Sequence, residues 1–511
     1  MSPVHSRRRT ALAPAAALVG LAVLVAPTAA GGPQAYAVPT AGSPYTVTPL
    51  LSVGDVVPET SSPTNRDYQM VGIPDGLGAF SRIDGTTDLF MNHEFTSDKL
   101  SEPNVGEARN RGAFVSRFRL GANATVLSGQ RAYDTVYQEN IFRGPAAQED
   151  NTTRAFSRLC SGSLSYQEAN FDRPIYFAGE EDSNEAATFD GKGGQTVAVM
   201  NNRAYALPRM GRFSKENTLV QPTSGTRTVV MTLEDGPSGP DSQLYMYVGW
   251  KGRTSGMGAL RRNGLDNGRL YTLDLTRVNS EADFENGSFR GVWKEVKSAS
   301  EMTATELEAA TDALGATGFV RIEDGAFSKT DRNDFYFVTT GSEVLDSEGG
   351  YINRYGRLYK LDLDASNPTE PARLTVIYNA DTVVASGRDI ALSPDNIDTS
   401  TRHLMIQEDG TSETRPVFAA KGRDAGIWRI PMSRLNPVEA DDYARFVVEL
   451  DPPGRDGIPV GPGVWESSGI IDTTSMFGTN SWLFDVQAHP PTTPPGTNTI
   501  EDGQLLIMRR D

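Results

Sequence analysis

Between its turns this chain is written almost entirely in short segments of four to eight residues, and sustained helical periodicity is nearly absent. That pattern constrains the fold more than any other feature. A period of two sets one face of a strand on a core and the other toward solvent, and no amphipathic helix can be built from it. Residues 268–275 and 356–363 share the pattern Gly-Arg-Leu-Tyr-x-Leu-Asp-Leu, and 425–431 is a looser version. A second kind of segment is more apolar and runs into a polar loop, as at 334–340, 403–409 and 481–486. The two kinds alternate irregularly, as the buried and outer strands of degenerate propeller blades do. The expected fold is therefore all-β, a β-propeller with loop insertions. Two sandwiches or a β-helix are the other arrangements open to such strands. One helix is predicted, within 298–314, capped by Ser300 or Thr303.

The first 37 residues read as an export signal. Arg7, Arg8 and Arg9 precede an alanine-rich apolar stretch at 11–30, and Ala35-Tyr36-Ala37 supplies an A-x-A cleavage pattern. Ser6-Arg7-Arg8-Arg9-Thr10 resembles a twin-arginine signal. The expectation is a secreted protein with a single propeller domain at 38–511, and no later stretch is long and apolar enough to span a bilayer. The formal charge is −17, and the first 37 residues carry three arginines and no acids, so the remainder is still more acidic. Nucleic acid and anionic membrane would repel such a chain. Most of the acids read as a solvated surface, and part of the excess reads as matched by bound cations. A single cysteine stands out in this setting, because exported chains use cysteines in pairs. Cys160 cannot pair within the chain, so it is either a buried small hydrophobe or a metal ligand.

Acids gather where predicted strands run out. The clusters are Asn92-His93-Glu94, Glu180-Glu181-Asp182, Lys215-Glu216-Asn217, Glu234-Asp235-Gly236, Arg321-Ile322-Glu323-Asp324, Pro394-Asp395-Asn396, Glu408-Asp409-Gly410 and Trp465-Glu466. Each alone is ordinary turn chemistry. In a propeller, however, the loops of one face converge on the central channel, and carboxylates buried there need cations or arginines beside them. Oxygen ligands suit calcium or magnesium, and a thiolate among carboxylates suits iron. Glu216, with Asp235 nineteen residues on, and Glu323, two residues after Arg321, carry the strongest signal. Of the four histidines, His5 lies in the signal and no H-E-x-x-H zinc motif exists, while His93 and His489 read as structural. No phosphate-binding loop, dinucleotide fingerprint or nucleophile elbow occurs. An enzyme built from this chain is expected to be metal-dependent.

Six pieces in order resemble the PhoX alkaline phosphatase family. They are Leu89-Phe90-Met91-Asn92-His93-Glu94, Leu159-Cys160-Ser161-Gly162 with Glu180-Glu181, and the stretch from Leu207 to Asn217. Then come Arg321-Ile322-Glu323-Asp324, Ser393-Pro394-Asp395-Asn396, and Leu483-Phe484-Asp485-Val486-Gln487-Ala488-His489-Pro490. The resemblance implies a six-bladed propeller holding ferric iron and calcium, and hydrolysis of phosphate monoesters, often with some diesterase activity. It implies Cys160, Glu216 and Glu323 at the iron site. Glu181, Asp235, Asp409 and the Asn92-His93-Glu94 run, through Asn92 and Glu94, are implied for calcium, and Arg321 as the arginine that grips phosphate. An arginine fork suits that task because it holds two phosphate oxygens at once. Three features depart from the family pattern: Cys160 and Glu180 are 20 residues apart, Lys215 stands where the family has histidine, and Ile322 where it has proline. The expected partner is a small phosphate ester, and the expected state a monomer. Two alternatives stand beside this: a calcium-dependent propeller acting on phytate or phosphodiesters, with no need of Cys160, and a non-catalytic calcium-stabilised propeller that binds a partner.

Overall fold

The computed structural model of the chain describes residues 1, 34–60, 66–223, 225–237, 239–254, 256–364, 366–410, 416–450, 465–489 and 498–510. The basic run and apolar stretch of the N-terminal segment lie outside the described residues. A compact body begins at Ala35.

From Pro74 on, one unit recurs: a short inner strand, a hairpin return, and further strands outward. The inner and second strands are β1 (Pro74–Ser81) and β2 (Thr87–His93), β3 (Leu159–Ser165) and β4 (Ile175–Glu180), β5 (Lys215–Val220) and β6 (Arg227–Glu234), β7 (Ile322–Phe327) and β8 (Asp334–Thr339), β9 (Pro394–Thr399) and β10 (His403–Glu408), and β11 (Trp465–Asp472) and β12 (Ser481–Ala488). Each pair is antiparallel. The odd-numbered strands lie side by side in a ring, β1-β3-β5-β7-β9-β11 and back to β1. This is the propeller arrangement, in which each sheet radiates from a central channel. A cavity of about 1090 Å³ opens at one end of the ring, where Ser81, Ser165, Val220, Phe327, Asp398 and Asp472 line it.

The two kinds of strand in the sequence take different places. The apolar kind are second strands, and β10 and β12 are buried along their whole length because neighbouring units cover both faces. The alternating kind lie further out: Arg357–Asp362 and Gly426–Pro431 are third strands, and Arg269–Leu275 is a fourth, with Leu244–Trp250 between it and the second strand of its unit. Units three and four join through their outermost strands, Ser288–Val296 and Ala372–Asn379, into one nine-stranded sheet.

The chain's beginning closes the ring. Tyr45–Ser52 pairs with Asp502–Arg510 and completes the sixth unit, while Ala37–Pro39 pairs with Arg445–Leu450 at the edge of the fifth. Tyr36 lies against Trp465 with ring centroids 4.8 Å apart, and its hydroxyl donates to Asp502 Oδ2 at 2.9 Å. Ala37 is wholly buried, so the cleavage pattern Ala35-Tyr36-Ala37 runs into a packed strand. Trp465 and Trp482 are fully buried between units, each stabilising the contact by roughly 1.5–3 kcal/mol or more. The longest helix among the described residues, α1 (Ala304–Leu314), is capped by Thr303 rather than Ser300: the Thr303 hydroxyl accepts from Glu306 N and the Glu306 carboxylate accepts from Thr303 N.

Candidate metal centre

The second residue of every inner strand is an acid or the cysteine: Asp75, Cys160, Glu216, Glu323, Asp395 and Glu466. In five of the hairpins the pairing register shifts beside that residue, between Asp75 and Leu77, Leu159 and Gly162, Lys215 and Thr218, Ile322 and Gly325, and Pro394 and Ile397. In the sixth it shifts further in, between Ser468 and Ile470. Such a bulge leaves an extra residue unpaired and re-aims its side chain. The repeat therefore turns six side chains toward one mouth of the channel.

A second circle is made by the first residue after each second strand: Glu94, Glu181, Asp235, Thr340, Asp409 and His489. A repeated hydrogen bond sets it. Glu94 N donates to Ile73 O at 3.0 Å, Glu181 N to Arg158 O at 2.7 Å, Asp235 N to Ser214 O at 3.1 Å, Thr340 N to Arg321 O at 3.0 Å and Asp409 N to Ser393 O at 2.9 Å. The acid just before this position turns away, into the fold. Glu180 accepts from Ser157 N and Phe189 N, Glu234 from Gln243 N, and Glu408 pairs with Arg423. Gly410 permits the close approach of two units here, since a Cβ on it would stand 1.6 Å from the Trp465 carbonyl oxygen.

The two circles meet around Cys160. Donor atoms of Asp75, Glu94 and Cys160 all lie within 4.8 Å of one another, as do those of Cys160, Glu181 and Glu216. The thiol thus belongs to both triads. It donates to Asp75 Oδ2 at 3.2 Å, and Ser161 Oγ donates to Glu216 Oε2 at 2.8 Å. Gln487 Nε2 bridges Asp75 Oδ2 at 3.0 Å and Glu94 Oε2 at 3.1 Å. Arg321 reaches Asp235 Oδ1 at 3.0 Å through Nε and Glu323 Oε1 at 2.8 Å through Nη2.

Burial, and then neighbouring carboxylates, push Asp75, Glu216, Glu323 and Asp395 well above the usual carboxylate range. The same two causes carry Glu466 to about 7, and burial carries Glu181 to about 8 against the opposing charge of Arg158. The Cys160 thiol is pushed up by burial and by Asp75 and Glu216. Nine carboxylates in the two circles face two arginines, Arg158 and Arg321. Such a set is stable only when protons or bound cations neutralise it. The donor set, one shared thiol among carboxylates, fits metal ions.

The structure brings together Cys160, Glu216, Glu323, Glu181, Asp235, Glu94, Asp409 and Arg321 of the residues expected from sequence. Asn92 is different. Its side chain donates to the carbonyls of Cys160 and Ser161 and accepts from Tyr176 OH at 2.8 Å, so the amide is occupied in holding β3 beneath the site. His93 is buried between Gly72 O and Ser116 Oγ and stacked on Phe114, with its pKa lowered to about 4 by burial. Sequence reasoning passed over Asp75, set in an unremarkable Pro-Asp-Gly, and Arg158. It noted Asp395 and Glu466 as acids but gave them no role. The signal that finds them is the sixfold repeat of an acid or cysteine followed by Gly, Ser, Asn or Asp at the second position of a strand.

The fold is a propeller, and one mouth of its channel gathers clustered carboxylates, a shared thiol and two arginine forks, groups able to hold cations and an anion side by side. Residues 197–432 match the family described as alkaline phosphatase PhoX. Among solved structures, Pseudomonas fluorescens PhoX in complex with vanadate, a transition state analogue, has a TM-score of 0.63 at 15% identity, covering 93% of this chain and 97% of that one. A protein of unknown function from Dyadobacter fermentans DSM 18053 (7% identical, 90% and 98% covered, TM-score 0.41) and an α-L-arabinofuranosidase from Fusarium graminearum (10%, 89% and 97%, TM-score 0.35) are too distant in geometry to carry an argument. No curated protein matches the sequence. The chain carries the PhoX family match over that segment and the PhoX propeller fold over nearly its whole length.

Proposed function

We propose that this protein is a phosphoric ester hydrolase of the PhoX alkaline phosphatase type, releasing phosphate from small monoesters, and from some diesters, at the carboxylate–thiol–arginine mouth. The observation that carries the reading is the placement of Arg321: its fork is anchored by Asp235 and Glu323 at the edge of the Cys160 cluster and is still about a quarter exposed. The PhoX family match over residues 197–432 supports the reaction class.

The metals in this reading are iron and calcium. Cys160 with Glu216 and Glu323 would hold iron, because a thiolate among carboxylates favours a redox-active transition metal. Glu94, Glu181, Asp235 and Asp409 would hold calcium through oxygen alone. Bound there, these ions supply Lewis-acid charge against the phosphate oxygens. The chain's own residues do the rest. Arg321 offers two N–H groups to two non-bridging oxygens, and Asp235 fixes the plane of its guanidinium. Ser161 orients Glu216, Gln487 ties Asp75 to Glu94, and Asn92 with Tyr176 fixes the backbone that carries Cys160. A locally cationic mouth also resolves the conflict between a −17 chain and an anionic substrate. In the same reading the N-terminal segment directs export, and the protein works outside the cell as a monomer.

The test is metal content together with turnover of p-nitrophenyl phosphate and bis-p-nitrophenyl phosphate on one sample of the holoprotein. Iron, calcium and monoester turnover are the expected result. A metal-loaded protein inert on both esters sinks the hydrolase reading.

A further inference from the structure

Arg158 occupies in the second unit the position that Arg321 occupies in the fourth. Each stands two residues before the inner-strand residue of its unit, Cys160 and Glu323. Each has a left-handed backbone, with φ of 48° and 58°. Each gives its carbonyl to the N–H of the outer-circle residue, Glu181 and Thr340. Each guanidinium straddles two carboxylates: Arg158 meets Glu94 Oε1 at 2.7 Å and Glu181 Oε2 at 2.5 Å, as Arg321 meets Asp235 and Glu323. The side chain of Arg158 is the more accessible, at 42% against 26%. The same position in the first, third and fifth units carries Ile73, Ser214 and Ser393, so among the described residues the two arginines are its only cations.

We propose that Arg158 is a second substrate-binding arginine, contacting the phosphate from the second unit as Arg321 does from the fourth; this rests on the hydrolase reading above. A phosphate presents three non-bridging oxygens, more than one bidentate guanidinium can satisfy, and a second fork adds charge-assisted hydrogen bonds at the remaining edge. Glu94 and Glu181, which hold Arg158, are carboxylates the metal reading gives to cations, and Arg321 stands in the same relation to Asp235 and Glu323. A guanidinium that shares its carboxylates with a cation keeps N–H groups for an anion.

The experiment compares wild-type holoprotein with Arg158→Ala, Arg158→Lys and Arg321→Ala. Inorganic phosphate is the probe, titrated by calorimetry, with metal content and Tm measured on the same samples. The expected result is at least a tenfold weaker phosphate Kd for Arg158→Ala, partial recovery in Arg158→Lys, and rescue of turnover in the alanine variant by added methylguanidinium, with metal content unchanged. Loss of bound metal in Arg158→Ala, or a phosphate Kd within twofold of wild type, overturns the proposal and makes Arg158 a clamp on Glu94 and Glu181. Should the alanine variant not fold, Arg158→Lys decides on the same two readouts: an unchanged Kd overturns the proposal, and a weakened Kd with full metal supports it. If Arg321→Ala also leaves phosphate binding intact, the hydrolase reading itself fails; loss in Arg321→Ala alone sinks only the present inference.

Discussion

Cys160 is the one sulfur donor set among the carboxylates of the mouth. Its sulfur is common to two donor triads, and in the proposed reading, where the thiolate is a soft ligand to iron, its removal disconnects them. Cys160→Ser is expected to keep the fold, since the side chain donates a single weak hydrogen bond to Asp75, yet to lose iron and to lower turnover by about a hundredfold or more. Metal analysis beside a thermal melt checks this; a serine variant with full iron and turnover would return the phytase-like alternative, which needs no thiol. Sequence alone gave Cys160 two readings, and Arg158 none. An arginine between two loops looks like solvated surface until Glu94 and Glu181, 64 residues before it and 23 after, are folded against it.

At the scale of the element, the inner strands were the hardest to see. A strand announces itself by alternation, but Cys160-Ser161 and Glu216-Asn217 sit in register shifts where alternation fails, and they read as turns. The second strands were plain from their apolar runs, and strands further out from their Leu-Tyr-x-Leu-Asp alternation. The contact between second and inner strands depends on glycine at Gly410. Gly410→Ala is expected to destabilise the protein by about 3 kcal/mol or more, because the Trp465 backbone rather than a flexible side chain opposes the new methyl group. Denaturant unfolding checks it, with Thr303→Ala as a surface control that loses only the helix cap, about 1 kcal/mol. Equal losses in the two variants would refute the close-approach argument.

For the whole molecule, the balance of charge at the mouth predicts opposite pH responses with and without metal. In the metal-free protein Glu181 at about 8, Glu466 at about 7, and Asp75, Glu216, Glu323 and Asp395 above the usual range hold protons that the unfolded chain releases near pH 4–4.5. Folded pKa values above unfolded ones mean stability that is complete below that range and is lost as pH rises toward about 8. Metal-stripped protein should therefore show a Tm that falls between pH 5 and pH 8. Metal-loaded protein should show one that rises, because the ligands must be deprotonated to hold cations. Parallel Tm curves for the two forms would contradict this. Ring closure makes a second prediction at this scale. A chain beginning at Val38 loses the Tyr36 ring and its hydrogen bonds to Gln504 and Asp502, and should melt at least ~3 °C below one beginning at Ala35. The sequence by itself determined the all-β class, the apolar second strands and the alternating outer strands, the lone thiol and the acidic clusters, because these are properties of neighbours along the chain. Only the tertiary structure decided which acid of each pair faces the mouth, and that Asp75 and Arg158 join it. Those depend on bulges and on the closing of a ring, which bring together residues as far apart as Asp75 and Gln487.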